Sequence, residues 1–240
     1  MSPKRSTRSE NDRMKISLDN LLTIQPETDN QAEAFEAWKK DQLNLVMVGA
    51  AGTGKTFLGM YLALEQVMDM STPYERLIII RSVVPTRDVG HLKGTLEEKL
   101  QAYTAPYRAI CDSLFNVKKA YDRLEHNEYI TFESTSYIRG MTFDNCIILV
   151  DESQNCNEHE LDSTITRVGV NTKIIFSGDY YQSDFRNNNE REGINKFLHV
   201  IEHMTSFATI QFGWEDCVRS DFVRDYLMTK EWLHDNTNKQ

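Results

Sequence analysis

The sequence predicts an α/β fold in three layers, with helices on both sides of a mostly parallel sheet. Three observations predict it. Runs at 43–48, 77–80, 130–133, 146–150 and 173–177 are short and largely apolar, and a sixth follows at 208–212. Strands buried on both faces read this way, and such strands belong to parallel sheets. Segments of helical period separate the runs, the alternation that right-handed crossovers need to put helices on both faces. Polar residues with chemical potential follow the runs directly, where the carboxyl edge of a parallel sheet would collect them.

Size and composition bound the rest. The chain has 240 residues and a formal net charge of −9. It is expected to hold one domain over 16–240, with a helical insertion at about 95–126. The charge argues against a broad surface for coating nucleic acid. Lys4, Arg5, Arg8, Arg13 and Lys15 crowd a tail rich in Ser and Asn. That tail, 1–15, is read as a disordered basic end, with phosphate contact as the alternative. No apolar run approaches membrane-spanning length and no signal peptide is visible, so a cytoplasmic protein without membrane contact is expected. Cys111, Cys146, Cys156 and Cys217 are scattered without a C-x-x-C pair, which speaks against zinc ribbons and disulfide frameworks.

The first run feeds Gly49-Ala50-Ala51-Gly52-Thr53-Gly54-Lys55-Thr56, which fits G-x-x-x-x-G-K-[ST] without deviation. Helical spacing resumes at Phe57, with Leu58, Tyr61, Leu62, Leu64, Glu65 and Met68 on a broad face. Strand, glycine loop and helix form the context in which backbone N–H groups wrap a triphosphate, since side chains would hold the backbone away. The helix opening at Lys55 turns its positive dipole end to the phosphates. Lys55 is expected on the β- and γ-phosphates and Thr56 on Mg²⁺. The binding stretch is Gly49, Ala50, Ala51, Gly52, Thr53, Gly54, Lys55, Thr56 and Phe57.

The other elements follow in order. Asp29 or Asn30 caps a helix over 31–40 with Ala34, Phe35 and Trp38 on one side. Gln31 at its start has the donor and acceptor that match adenine's N6/N7 edge, although position alone reads it as an ordinary solvent-facing residue. The run 77–80 ends in a loop carrying Arg81 and Arg87, candidates for substrate phosphates or for a salt-bridged loop. Thr95 and Glu98 have capping-box spacing. Behind them Leu96, Leu100, Tyr103, Tyr107, Ile110 and Leu114 form a core-facing stripe that Pro106 should kink. The run 146–150 ends in Asp151-Glu152. Two carboxylates at a strand tip beside a phosphate loop have a use: Asp151 holds Mg²⁺ through its water shell, and Glu152 polarises the attacking water. Gln182, five residues past the strand 173–177, falls at the same edge, suited to sensing the γ-phosphate. A terminal helix over 221–232 should pack through Phe222, Tyr226 and Trp232.

These residues add up to a resemblance. The loop Gly49–Thr56, the strand ending Asp151-Glu152 with Gln154 beyond it, and Gly178-Asp179 with Gln182 resemble the superfamily one helicase ATPase core. The match is closer to the PhoH family of phosphate-starvation-inducible ATPases in bacteria and phages. Asn30-Gln31, Arg139-Gly140-Met141-Thr142, Ser153, Asn155, Thr166-Arg167-Val168-Gly169 and Cys217-Val218-Arg219 support it, over roughly residues 25–230. The resemblance implies a RecA-like fold, hydrolysis of ATP with Mg²⁺, and a link to RNA or single-stranded DNA. It makes Gln31 the adenine reader, Gln182 the γ-phosphate sensor, and Arg219 an arginine that completes a neighbour's site. Three positions depart from the family's pattern: Ala50 stands where Pro is usual, Met141 where many members carry a second arginine, and Ser153 where Ala is usual. The loss of the arginine weakens nucleic-acid contact at that loop. The basic tail and many asparagines suit a phage member.

Room for a single RecA-like lobe leaves the cleft opposite the glycine loop to be filled by another subunit, or open. A homo-oligomer is therefore expected, a hexameric ring being one form, with Arg219 or Arg167 acting in trans on charge spreading over the γ-phosphoryl. The rival readings are a P-loop phosphotransferase, disfavoured by Glu152 and Gln182, and a nucleotide-dependent scaffold.

Overall fold

Alternate residues of the inner strands enter two different cores, and that alternation builds the three layers. Leu45 and Met47 point to one face of the sheet, and Val46 and Val48 to the other. Leu77 and Ile79 against Ile78 and Ile80 repeat the split. The computed structural model describes residues 16–40, 43–83, 96–180 and 188–237. The tail, Arg87, Thr95 and Gln182 lie outside them.

The strands are β1 (Asn44–Gly49), β2 (Arg76–Arg81), β3 (Ile130–Ser134), β4 (Cys146–Val150), β5 (Thr172–Gly178) and β6 (Phe207–Phe212). They form one sheet in the order β3-β2-β4-β5-β1-β6, every pair parallel. The α/β class and the parallel sheet expected from the apolar runs are what the chain adopts. All six carboxyl ends therefore share one edge. β5 lies between β1 and β4, so the tips of those two stand about 10 Å apart at the usual strand spacing.

Among the described residues the longer helices are α1 (Asp29–Trp38), α2 (Lys55–Met68), α3 (Leu96–Phe115), α4 (Ala120–His126), α5 (Glu158–Ile165), α6 (Asn188–Glu202) and α7 (Asp221–Thr237). Helices α1 to α4 pack on one face around Trp38, Leu62, Tyr107 and Tyr121. Leu161 of α5 and Ile194, Phe197 and Ile201 of α6 pack on the other. Helix α2 is buried nearly all round, and only Glu65, which the helical spacing put on its apolar face, is exposed; it accepts a hydrogen bond from the Tyr61 hydroxyl at 2.8 Å. Two contacts fix α1: the Trp38 indole donates to the Leu62 carbonyl at 3.0 Å, and the buried Lys173 ammonium donates to the Trp38 carbonyl at 2.8 Å. That ammonium also lies 3.6 Å from the centre of the Trp38 ring.

One expectation fails. Helix α7 forms, but Phe222, Tyr226 and Trp232 are 82%, 61% and 65% exposed. None of the three is buried in the core. Apolar residues in a helix announce that something covers them, not that the same chain does.

Candidate active site

The glycine loop leaves β1 and passes under the end of β6. The Ala50 N–H donates to the Phe212 carbonyl at 3.0 Å, and a Cβ added to Gly49, whose φ is +129°, would lie 1.9 Å from that same oxygen. Only glycine fits there. Gly54 sits at φ +81° in the left-handed region and starts α2. The Thr53 hydroxyl, fully buried, donates to the Ala50 carbonyl at 3.0 Å and braces the loop from within. Lys55 is 8% exposed, and its ammonium donates to the carbonyls of Gly49 at 2.9 Å and Ala50 at 2.7 Å. Burial lowers its pKa below the usual lysine value, while the charges of Asp179, Glu152 and Asp151 oppose that drop.

The acidic pair arrives from β4. The Thr56 hydroxyl donates to one oxygen of Asp151 at 2.8 Å, and the Tyr107 hydroxyl donates to the other at 2.9 Å. Burial raises the Asp151 pKa above the ordinary carboxylate range, with Glu152 adding to the rise. The two hydroxyl bonds and the charge of Arg81 pull the other way. Glu152 adopts a left-handed backbone, φ +50°, which is uncommon for a residue with a side chain and turns it off the strand axis. Its carboxylate accepts from the Gln154 amide at 2.7 Å, and the Gln154 carbonyl oxygen accepts from the Asp179 N–H at 3.0 Å. Ser153 bonds the Ser177 carbonyl at 2.8 Å, so the tips of β4 and β5 are knitted side by side.

Lys55, Thr56, Asp151, Glu152, Gln154 and Asp179 line one cleft of about 700 Å³ at the carboxyl edge, together with Gln31, Ala51, Gly52, Gly54 and Phe57. Gln31 is 8% exposed rather than solvent-facing; its amide donates to the Thr53 carbonyl at 3.4 Å and accepts from the Glu27 N–H at 2.8 Å. Arg219 also lines the cleft, its stem against Gly52, and the Val218 N–H donates to the Gly52 carbonyl at 3.2 Å. The resemblance makes Arg219 an arginine for a neighbour's site; in this chain it lines its own cleft. Arg167 is not brought to the site. It lies at the amino-terminal edge, where its guanidinium donates to the Met141 carbonyl at 3.4 Å and the adjacent Val168 bridges Phe143. Gln182 lies outside the described residues.

Two contributors were missed in the sequence. Tyr107 looked like one more member of an apolar stripe, and only its hydroxyl, which a tyrosine would rarely bury without a partner, pointed to a polar task. Gln154 counted toward the resemblance without a role.

A glycine loop between β1 and α2, and a carboxylate pair on the second strand over, define a P-loop NTPase. The sequence comparisons carry this further. The pattern described as PhoH-like protein matches residues 23–229, and the chain belongs to the PhoH family. It is 36% identical over 171 residues to protein PhoH2 of Bacillus subtilis, covering 69% of this chain and 38% of that one. Identity is 29% over 219 residues to a PhoH-like protein of Mycobacterium leprae, covering 88% and 61%, and 30% over 192 residues to protein PhoH of Escherichia coli, covering 79% and 53%. The chain thus spans between about two fifths and three fifths of these relatives. Among solved structures, the large terminase from a thermophilic bacteriophage overlays with a TM-score of 0.49 at 17% identity, covering 84% of this chain and 50% of that chain. The Pyrococcus furiosus Hef helicase domain overlays at 0.44 and 12% identity, covering 75% and 37%. Scores of that size add nothing to the family assignment.

Proposed function

We propose that this chain hydrolyses ATP with Mg²⁺ and couples the hydrolysis to RNA or single-stranded DNA. The observation that carries the reading is the hydrogen bond between Thr56 and Asp151, residues 95 positions apart, in the cleft that also holds Lys55 and Glu152. The residues fit both groups. Mg²⁺ keeps several waters and takes phosphate oxygens, so one hydroxyl and one carboxylate suffice from the protein. Among the described residues no group of three or more His, Cys, Asp or Glu could hold a metal by itself. The cleft volume is in the range of small-molecule sites.

In this reading the loop N–H groups bind the phosphates, and Lys55 turns from its two carbonyls to the β- and γ-phosphates. Thr56 and Asp151 would hold the metal, which would supply charge neutralisation at the phosphates. Glu152, oriented by Gln154, accepts the proton of the attacking water. Gln31 and Phe57 belong to the nucleotide's binding face, with Gln31 reading adenine. Gln182 senses the γ-phosphate. Arg219 steadies phosphoryl charge in cis, and Arg167 remains the candidate to act in trans within a homo-oligomer in the cytoplasm. Among the described residues no helix is long and apolar enough to cross a membrane.

The test is phosphate release without added acceptor, with and without single-stranded RNA or DNA, at two salt concentrations. Glu152→Gln should lower release by about 10² or more while leaving nucleotide affinity within a few-fold. Hydrolysis by that variant at the wild-type rate would overturn the reading. ATP consumed only when a phosphate acceptor is supplied would favour a phosphotransferase instead.

A further inference from the structure

Asp151 is 3% exposed, and both its oxygens accept from side-chain hydroxyls, Thr56 at 2.8 Å and Tyr107 at 2.9 Å. The first donor belongs to the glycine-loop motif. The second comes from α3, inserted between β2 and β3, which also brings Ile110 to the wall of the cleft. Tyr107 is fully buried, its ring centre 5.9 Å from that of Phe132 on β3. Arg81, at the tip of β2, exerts its charge on Tyr107, Glu152 and Asp151 alike, and its guanidinium lies 6.0 Å from the ring centre of Tyr103, one turn earlier on α3. Two successive turns of α3 thus meet the site, Tyr107 at Asp151 and Tyr103 at Arg81.

We propose that Tyr107 is a positioning residue for the magnesium-nucleotide site: through its hydroxyl, α3 holds the Asp151 carboxylate in the orientation that keeps its other oxygen on Thr56. The inference rests on the magnesium-nucleotide reading above. A hydroxyl has one proton and two lone pairs. Thr56 can keep its proton on Asp151 while its oxygen remains available to a cation, provided the carboxylate does not rotate. The Tyr107 bond is what opposes rotation about the strand-tip side chain. Removing it leaves a buried carboxylate oxygen without that donor, and the carboxylate turns to find another. Groups that orient a metal-holding side chain are typically worth 10- to 100-fold in metal affinity. The same link makes metal retention depend on how α3 is seated.

The test uses the full chain and fluorescent N-methylanthraniloyl-ADP, titrated with Mg²⁺ and, separately, in EDTA. Tyr107→Phe keeps the ring. It should bind the nucleotide in EDTA as the wild type does, yet need at least about ten times more Mg²⁺ for half of the metal-dependent gain in affinity. Phe132→Leu loosens the same packing without touching Asp151, and should lower the melting temperature while leaving the Mg²⁺ midpoint in place. A midpoint for Tyr107→Phe within twofold of wild type, or an equal shift in Phe132→Leu, overturns the role of Tyr107. Wild-type binding that ignores Mg²⁺ altogether overturns the magnesium-nucleotide reading, and this inference with it.

Discussion

Gly49 shows how a single residue is set by its neighbours. With φ at +129° and the Phe212 carbonyl 1.9 Å from where a Cβ would stand, Gly49→Ala must distort either the loop or the end of β6. We expect it to cost about 3 kcal/mol or more in urea unfolding, besides weakening nucleotide binding. The thiols of Cys111 and Cys156 supply a prediction about pH. Burial pushes both up to about 12, with Asp112 adding to the rise at Cys111 and Glu160 at Cys156. A folded-state pKa above the ordinary 9.0 means the neutral buried thiol contributes stability below pH 9 that is lost as pH rises toward 12. Between pH 8 and 10.5 each thiol should account for about 2 kcal/mol of the lost stability. The double variant Cys111→Ala/Cys156→Ala should start less stable and fall less steeply over that interval in urea melts. Equal slopes for the two proteins would contradict the burial of these thiols.

At the scale of elements, the strands were the most legible part of the sequence. A strand covered on both faces needs apolar residues at every position, so the runs 77–80 and 146–150 stand out without any periodicity to decode. The glycine loop was legible because its job leaves few options for residue type. Helix α7 was legible as a helix but not in its surroundings. Most of its large apolar residues are exposed, and the segment just before it carries Val218 and Arg219 into the cleft. If self-association covers α7, Phe222→Ser combined with Tyr226→Ser should shift the mass measured by light scattering toward the monomer while leaving nucleotide binding intact. An unchanged mass would assign that helix to another partner.

For the whole molecule, the parallel sheet is what turns separate motifs into one site. Because every strand runs the same way, Gly49, Arg81, Asp151 and Asp179 emerge on one edge. The order in which β5 lies between β1 and β4 sets the gap that a phosphate group and a metal would span. The sequence by itself determined the fold class, the family and the glycine loop, because these follow from local pattern: which residues can form a doubly covered strand, and which can let backbone approach an anion. Tertiary structure alone decided that Tyr107 bonds Asp151, that Arg219 faces its own cleft, that Gln31 is buried against Thr53, and that α7 stays exposed. Those outcomes depend on distances between residues tens of positions apart. Spacing along the chain carries no such information, because packing sets which surfaces meet.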